Sequence, residues 1–207
     1  WMVPSYDPAL NLIYMGTSVT SPAPKFMLGG TDLAHLYHNS TLALDADTGE
    51  IVWYYQHLKD HWDLDHPFER ILVDTAVAPD PSAVSWINPR LQAGETRRVI
   101  TGIPGKTGVV YTLDRETGES MYPIVEVDQL PSTLPGEVPA PTQRVSTVAF
   151  SRQTFEITTR TEEARRAVEE QIEEWDLRPW APPRVGTVLF QPWYDGGAEW
   201  GGSAFDP

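Results

Sequence analysis

Short segments in which apolar and polar residues alternate recur along the chain, and they predict β-strands joined by tight turns. Leu10–Gly16 alternates in this way after an Asp-Pro turn and predicts a short strand. Residues 41–53 contain one alternating segment, the turn Asp-Ala-Asp-Thr-Gly, and a second segment that ends in Trp53. Because Gly49 accepts a positive φ and aspartates bond turn amides, this stretch predicts a β-hairpin.

The hairpin pattern is repeated farther along the chain, at residues 109–122. Asp114 and Gly118 stand where Asp45 and Gly49 do, an offset of 114 − 45 = 69 residues, and a tyrosine takes the place of the tryptophan. A hairpin that returns at such spacing is typical of propellers and solenoids.

The remaining stretches predict loops and one helix. Residues 57–70 and 78–97 are rich in Pro, Asp and Trp. The Pro-rich residues 130–141 predict an extended surface loop, because proline cannot donate a ladder hydrogen bond. Residues 161–175 predict a helix, with Thr161 as N-cap and apolar residues recurring on one face. Its acidic run is typical of a solvated face, so we interpret the helix as an insertion without chemistry.

Composition and charge narrow the classes of function. The 207 residues include 15 Lys and Arg against 29 Asp and Glu, a net charge of −14, which argues against nucleic acid as a partner. The absence of cysteine excludes disulfides, thiolate metal ligands and cysteine nucleophiles. No apolar run approaches the roughly 18 residues of a membrane-spanning helix, so we predict no transmembrane segment.

Several motifs together resemble one enzyme family. The segment ALDADTGEIVW (43–53) is similar to the tryptophan-docking motif of eight-bladed quinoprotein alcohol dehydrogenases, which hold pyrroloquinoline quinone (PQQ) and a metal ion on the propeller axis. The family's order is followed by PSYDPALNLIYMGT (4–17), HWDLDHP (61–67), GKTGVVYTLDRETG (105–118) and GGAEWGGSAFDP (196–207). The resemblance covers residues 1–122 and 184–207, and it implies that Trp53 is a docking residue between blades.

The resemblance implies an all-β fold, a β-propeller fragment of about two blades with one inserted helix. On this basis residues 1–56 form a blade portion, 57–129 the next blade, 130–183 a loop and helical insertion, and 184–207 the start of a following blade. The last residues, Ala-Phe-Asp-Pro, echo Ser-Tyr-Asp-Pro near the beginning. We therefore expect the chain to be a piece of a longer protein.

Two acidic residues match the family's catalytic and metal-binding positions. Asp63 matches the catalytic aspartate, which implies that it removes the substrate hydroxyl proton and helps to bind the metal ion. Asp65 matches an additional metal-binding carboxylate of lanthanide-using members. Because some calcium- or magnesium-using members also carry an acid there, the implied ion is Ca²⁺ or a lanthanide. Taken alone, two acids in a Pro-bounded loop are more typical of solvated turn residues than of a catalytic site, and it is the surrounding motif that favours catalysis.

Four other residues match positions near the cofactor. Lys106 matches a basic residue that contacts the quinone oxygens and stabilises negative charge on them. Trp1 matches the tryptophan that forms the floor beneath PQQ by stacking, and its alternative is an ordinary core tryptophan. Glu199 and Trp200 match a segment that often reads Asn-Trp in relatives, so Glu199 departs from the pattern.

A second departure affects the metal site. Relatives commonly carry an asparagine ligand at the position of Val19. Thr20 and Ser21 offer hydroxyls, which are poorer cation ligands than an amide oxygen. The resemblance therefore implies a metal site that is either rearranged or weakened.

Three histidines, His57, His61 and His66, flank the proposed catalytic acid. Their spacing fits no standard zinc signature. We interpret them as polar loop residues near a substrate mouth.

The resemblance thus predicts a periplasmic PQQ-dependent dehydrogenase that oxidises an alcohol or sugar hydroxyl and passes electrons to cytochrome c or a quinone. The alternative is a non-catalytic propeller of the same repeat type that serves as an assembly or binding scaffold. The departures at Val19 and Glu199 keep this alternative open. A carbohydrate-binding propeller is favoured only by the aromatic residues of the loops.

Overall fold

Antiparallel β-structure dominates the computed structural model of this chain. The structure describes residues 3–19, 24–29, 34–59, 64–78, 80–83, 86–103, 105–146, 155–191, 193 and 201–206. Along them the strands are β1 (Ser5–Asp7), β2 (Leu12–Gly16), β3 (Ser40–Asp45), β4 (Ile51–Gln56), β5 (Ile71–Ala76), β6 (Thr96–Ile103), β7 (Tyr111–Asp114), β8 (Ile124–Asp128) and β9 (Thr142–Ser146). Helix α1 spans Glu162–Ile172, and short 3₁₀ turns lie at Lys25–Leu28 and Pro81–Ala83. The predicted all-β class with an inserted helix is confirmed.

The first sheet contains β1 to β4, each paired antiparallel with the next strand in sequence. Asp7 builds the turn between β1 and β2, because its Oδ1 accepts hydrogen bonds from the amides of Ala9 and Leu10 at 2.9 and 3.3 Å. Asn11 follows with φ +54°. The turn thus includes Leu10 and Asn11, and β2 begins at Leu12 rather than at Leu10 as the alternation predicts.

The predicted hairpin turn between β3 and β4 is confirmed. Asp45 Oδ1 accepts hydrogen bonds from the amides of Asp47 and Thr48 at 3.0 and 2.8 Å. Gly49 closes the turn with φ +75°, and its amide donates to the Asp45 carbonyl at 2.8 Å. The positive φ explains why glycine occupies this position.

The second copy of this turn forms the same hydrogen bonds. Asp114 Oδ1 accepts from the backbone amides two and three residues farther on, at 2.8 and 3.0 Å, and Gly118 has φ +74°. The returning segment differs, because Leu113 pairs with Ser120 through a single bridge instead of a full strand. Pro123 follows without an N–H group that could extend the ladder.

A second sheet and a separate ribbon complete the β-structure of the described residues. The second sheet has the strand order β5-β6-β7, and β8 pairs with β9 alone. The Pro-rich segment that joins β8 to β9 contains no strand, which confirms the predicted loop. The sequence pattern did not predict the ribbon itself. Its residues show no simple alternation of buried and exposed positions, and Val125 on β8 is exposed.

The main core lies between the inner faces of the first and second sheets. Its buried side chains are Leu12, Tyr14, Ala43, Trp53, Ile100, Val109, Tyr111 and Leu113. Removing apolar area from water contributes about 25 cal/mol per Å², so this contact stabilises the packing of the first sheet on the second.

Trp53 docks the first sheet on the turn of the second repeat, as predicted. Its indole Nε1–H donates to the carbonyl of Arg115 at 3.1 Å, and the Tyr14 hydroxyl donates to the same oxygen at 2.8 Å. The Arg115 guanidinium pairs with the Asp7 carboxylate at 3.1 Å. A Cβ atom on Gly118 would lie 2.6 Å from the indole ring, so only glycine fits beneath it.

Helix α1 begins at a side-chain cap and ends at a buried isoleucine. The hydroxyl oxygen of Thr161 accepts from the amide of Ala164 at 3.1 Å, which confirms the predicted N-cap. Ile172 is the buried residue of the helix, which ends there rather than at Trp175. Across the described part of the chain, no helix combines the length and apolar character needed to cross a bilayer.

Replacing the two equivalent turn glycines by alanine will have unequal effects. Gly49→Ala places a methyl group in open space and costs only the left-handed backbone strain, about 1–2 kcal/mol. Gly118→Ala adds a clash with Trp53, and we expect a loss of about 3–4 kcal/mol of unfolding free energy. Denaturant unfolding of the intact protein measures both. Equal losses in the two variants would contradict the docking role of Gly118.

Candidate active site

Three chain segments meet at the end of the two sheets that lies opposite the Asp-Thr-Gly turns. They follow β2, precede β5 and follow β6. A Cβ atom on Gly16 would overlap the carbonyl oxygen of His66, and one on Gly105 would lie 2.5 Å from the His66 ring. Gly105 also has φ +49°. Glycine at both positions lets the three backbones approach closely.

An ion pair joins two of the predicted site residues at this meeting point. Lys106 Nζ lies 2.9 Å from Asp65 Oδ2, and each side chain is only 9% exposed. The Lys106 amide also faces the Asp65 carbonyl at 3.5 Å. The motif GKTG and the motif HWDLDHP, which are far apart in sequence, are therefore brought together in the fold.

The segment after β2 holds the same carboxylate from its other side. The Ser18 hydroxyl donates to Asp65 Oδ1, and the Val19 amide donates to that oxygen at 3.3 Å. Burial opposes ionisation of Asp65. The hydrogen bonds from Ser18 and Lys106, with the lysine charge, outweigh burial and hold the pKa of the carboxyl below its usual range. Asp65 is therefore an anion at neutral pH.

His57 and His66 lie in loops, as the sequence indicates, but they are packed in the interior. Both are fully buried, and their rings stack with centroids 4.6 Å apart and planes 10° from parallel. The Tyr111 ring meets His57 edge-on at 4.4 Å. Burial, with the Arg70 charge, lowers the pKa of His66 to about 3. Burial, with the neighbouring His66 and Arg70, holds the pKa of His57 well below its ordinary value. Both imidazoles are neutral packing groups.

Arg70 lies beneath the histidine pair and was not singled out from the sequence. Its Nη2 donates to Thr41 Oγ1 at 2.9 Å and to the His66 carbonyl at 2.6 Å. Thr41 Oγ1 in turn lies 2.7 Å from His57 Nε2. Burial lowers the pKa of Arg70 to about 9, so the guanidinium stays charged at neutral pH. The arginine thus fixes the backbone of the segment that carries Asp65.

The ribbon β8–β9 borders the site through the same aromatic cluster. Tyr111 donates its hydroxyl to the Arg144 carbonyl at 3.3 Å, and the Arg144 guanidinium lies over the Tyr55 ring at 5.6 Å. Glu126 on β8 pairs with Lys59 and Arg144, each at 3.1 Å. This ribbon therefore packs beside the histidine stack.

The remaining predicted site residues lie outside the part of the chain that the structure describes. Those outside the described residues are Asp63, Trp1, Glu199 and Trp200. The same holds for His61, Thr20 and Ser21. The sequence analysis considered the hydroxyls of Thr20 and Ser21 and did not predict a role for Ser18. A signal existed in the sequence, since Ser18 immediately precedes the position where relatives commonly carry the asparagine ligand.

The described donor set suits an anionic quinone better than a metal ion. Lys106 presents a largely buried cation, which fits a negatively charged cofactor. Both oxygens of Asp65 already accept from donors, and an ammonium stands beside one of them. Among the described residues, no three His, Cys, Asp or Glu side chains are grouped so as to hold a metal ion. Of the two acids that the resemblance assigns to a metal ion, Asp65 is the one that lies among the described residues.

Comparisons with known proteins identify the class. The family model described as "Glucose/ethanol/alcohol dehydrogenase, beta-propeller domain" (PQQ) matches residues 1–207. The chain therefore belongs to the family of PQQ-dependent dehydrogenase β-propeller domains, which confirms the predicted family and fold. The match includes residues 130–180, where the sequence motifs showed no resemblance.

Individual relatives are quinoprotein dehydrogenases. The chain is 35% identical over 149 residues to the quinoprotein glucose dehydrogenase of Gluconobacter oxydans (strain 621H), covering 70% of this chain and 16% of that protein. It is 30% identical over 217 aligned positions to a probable quinate dehydrogenase (quinone) of Xanthomonas campestris pv. juglandis, covering 100% of this chain and 25% of the relative. The chain thus spans a quarter or less of these two relatives.

A solved structure is also similar. The crystal structure of the quinohemoprotein alcohol dehydrogenase from Comamonas testosteroni matches 70% of this chain and 19% of its own, with 28% identity and a TM-score of 0.48.

Replacing His57 by glutamine will make stability less sensitive to acid. The folded protein keeps His57 neutral, whereas the unfolded chain takes up a proton below about pH 6.5, so this stabilisation is present above pH 6.5 and lost as the pH falls. Each suppressed proton costs at most about 1.4 kcal/mol per pH unit. Thermal unfolding of the intact protein from pH 7.5 to 5 should show the gap between parent and H57Q narrowing.

The matched control for H57Q is Tyr55→Phe, which changes a ring beside His57 without removing a group that titrates in this range. Its offset from the parent should stay constant with pH. A constant offset for H57Q as well would contradict the neutral state of His57.

Proposed function

We propose that the intact protein containing this chain is a PQQ-dependent dehydrogenase that oxidises an alcohol or sugar hydroxyl group. The observation that carries the proposal is the buried Lys106–Asp65 pair at the meeting point of three loops, in a chain of this family. Bound PQQ would supply the quinone that accepts the hydride of the substrate. The names of the relatives, which include a glucose and a quinate dehydrogenase, support a hydroxylated small molecule as the substrate.

Lys106 would stabilise negative charge on the quinone oxygens. An ammonium in a site that excludes water stabilises a developing anion more strongly than the same group in bulk solvent. The 9% exposure of Lys106 supports this role. Its backbone is fixed beside Asp65, so the charge needs little reorganisation when the cofactor is reduced.

Asp63 is proposed as the general base that takes the hydroxyl proton of the substrate. It precedes Asp65 by two residues in the motif HWDLDHP. Trp1 is proposed to stack on the cofactor, and Glu199 and Trp200 to line its pocket. These roles rest on the family motifs alone.

A metal ion, Ca²⁺ or a lanthanide, is proposed to bind Asp63, with Asp65 as a further candidate ligand. Cytochrome c or a quinone is proposed as the electron acceptor, and the periplasm as the location. The division into blades at residues 1–56, 57–129, 130–183 and 184–207 also remains a proposal. The first sheet falls within the first of these units.

A scaffold propeller is the second candidate, and a specific observation favours it. Val19 places a buried apolar side chain where relatives commonly carry an amide ligand, and it contributes only its backbone amide to Asp65. A protein that has lost its metal site keeps the docking turns, because these stabilise the fold without the cofactor.

Titration of the intact protein with PQQ tests the choice between the two. We expect cofactor absorbance and dye reduction with an alcohol or sugar after addition of Ca²⁺ or La³⁺. Bound PQQ with an oxidisable substrate supports the dehydrogenase. An absence of both signals with either ion would establish the scaffold instead.

Asp63→Asn should remove nearly all turnover while PQQ remains bound. The amide keeps the shape of the side chain but cannot take a proton, and loss of a general base costs about 10²–10⁴-fold in rate. Steady-state kinetics measures the loss, and cofactor absorbance reports binding. Activity within a few-fold of the parent would refute Asp63 as the base.

A further inference from the structure

The contacts of Asp65 assign it a task that differs from metal binding. Its Oδ2 faces the Lys106 ammonium at 2.9 Å, and its Oδ1 accepts from the Ser18 hydroxyl and the Val19 amide. A carboxylate that binds a cation directs an oxygen lone pair at the ion. Here the described donors point at both oxygens, and a cationic group already occupies the space beside Oδ2.

Lys106 needs such a partner. A lysine side chain is a compact charge on a flexible four-carbon stem, so its ammonium has no fixed direction of its own. In this site it is nearly removed from water, where an unpaired charge is strongly unfavourable. A carboxylate at hydrogen-bonding distance both neutralises the charge and limits the rotamers of the stem.

Backbone contacts also hold Lys106 beside Asp65. The Lys106 amide faces the Asp65 carbonyl, and Gly105 lets the turn lie against the His66 ring. Residues 105 and 106 are therefore held at backbone and side chain by residues 65 and 66. On the other side, Ser18 anchors Asp65 to the end of β2. The chain of contacts runs from β2 through Asp65 to the ammonium.

We infer that Asp65 is the positioning residue of Lys106, held in turn by Ser18, and that it acts on the reaction through the lysine rather than as a metal ligand. The inference rests on the proposed function, because the lysine is given its role by the bound quinone. It explains the acid at position 65 without requiring a lanthanide.

A double-mutant cycle in the intact protein tests the inference, using Asp65→Asn, Lys106→Gln and both together. We expect D65N to lower kcat by about 10- to 100-fold, since small misplacements of a charged group have effects of this size. In the K106Q background the same change should cost less than about twofold, because residues that act as one unit are not additive.

Metal affinity supplies the readout that separates the two roles. Calorimetric titration with Ca²⁺ and with La³⁺ alone should give D65N affinities within about threefold of the parent. A ligand that directs a carboxylate oxygen at the ion would lose more, because divalent and trivalent ions select charged oxygen donors. A loss of about tenfold or more that persists in K106Q would overturn the inference and establish Asp65 as a metal ligand.

Two further variants guard against a trivial loss of folding. Ser18→Ala keeps both charges and removes one of the two hydrogen bonds to Asp65 Oδ1, so it should lower kcat by a smaller factor that disappears in the K106Q background. Asp7→Asn breaks another buried ion pair, with Arg115, at the opposite end of the sheets. It should reduce the free energy of unfolding and leave kcat within about twofold of the parent. Its effect on kcat should be the same in the K106Q background, because the two sites are far apart.

The outcomes distinguish a failure of the role inferred for Asp65 from a failure of the proposed dehydrogenase function. Additive effects of D65N and K106Q in a protein that binds PQQ would overturn the inference and leave the dehydrogenase in place. A parent protein that binds no PQQ with either ion would overturn both.

Discussion

The carbonyl oxygen of Arg115 joins the two main sheets, because it accepts hydrogen bonds from both Tyr14 and Trp53. These donors belong to different strands of the first sheet, and the acceptor belongs to the turn that follows β7. Losing the acceptor would leave two buried donors unsatisfied, at about 1–3 kcal/mol each. The arginine side chain adds its ion pair with Asp7. One residue therefore fixes the distance and the orientation of one repeat on the next.

The candidate site lies at the other end of the same two sheets. With the turn ends fixed, the opposite ends of the strands are held in place, and three separate segments can each supply one part of a charged cluster. Ser18, Asp65 and Lys106 come from the three segments. Gly16 and Gly105 provide the room in which the backbones meet. A site built on strand ends in this manner is more rigid than one built within a single long loop.

Local features were predictable from the sequence, whereas contacts between distant segments were not. The Asp-Thr-Gly turns and the Thr161 cap are set by neighbouring residues, so the pattern identified them. The motifs indicated Asp65 and Lys106 one at a time, but their ion pair depends on how β6 is placed against the segment before β5. The burial of His57 and His66 also depends on contacts between distant segments. The polar, Pro-containing stretch around these histidines does not indicate that Tyr111 and Arg70 will enclose them. The ribbon β8–β9 was missed because its pattern does not alternate simply.

Arg70 gives the site an electrostatic character that the composition does not suggest. The whole chain has a net charge of −14, yet among the described residues no carboxylate lies within ion-pair distance of this buried guanidinium. Its hydrogen-bond partners are carbonyl and hydroxyl oxygens, which solvate the charge without cancelling it. In the low-dielectric interior such a charge acts over several ångströms. A buried positive charge therefore lies under the strand ends of a chain whose net charge is negative.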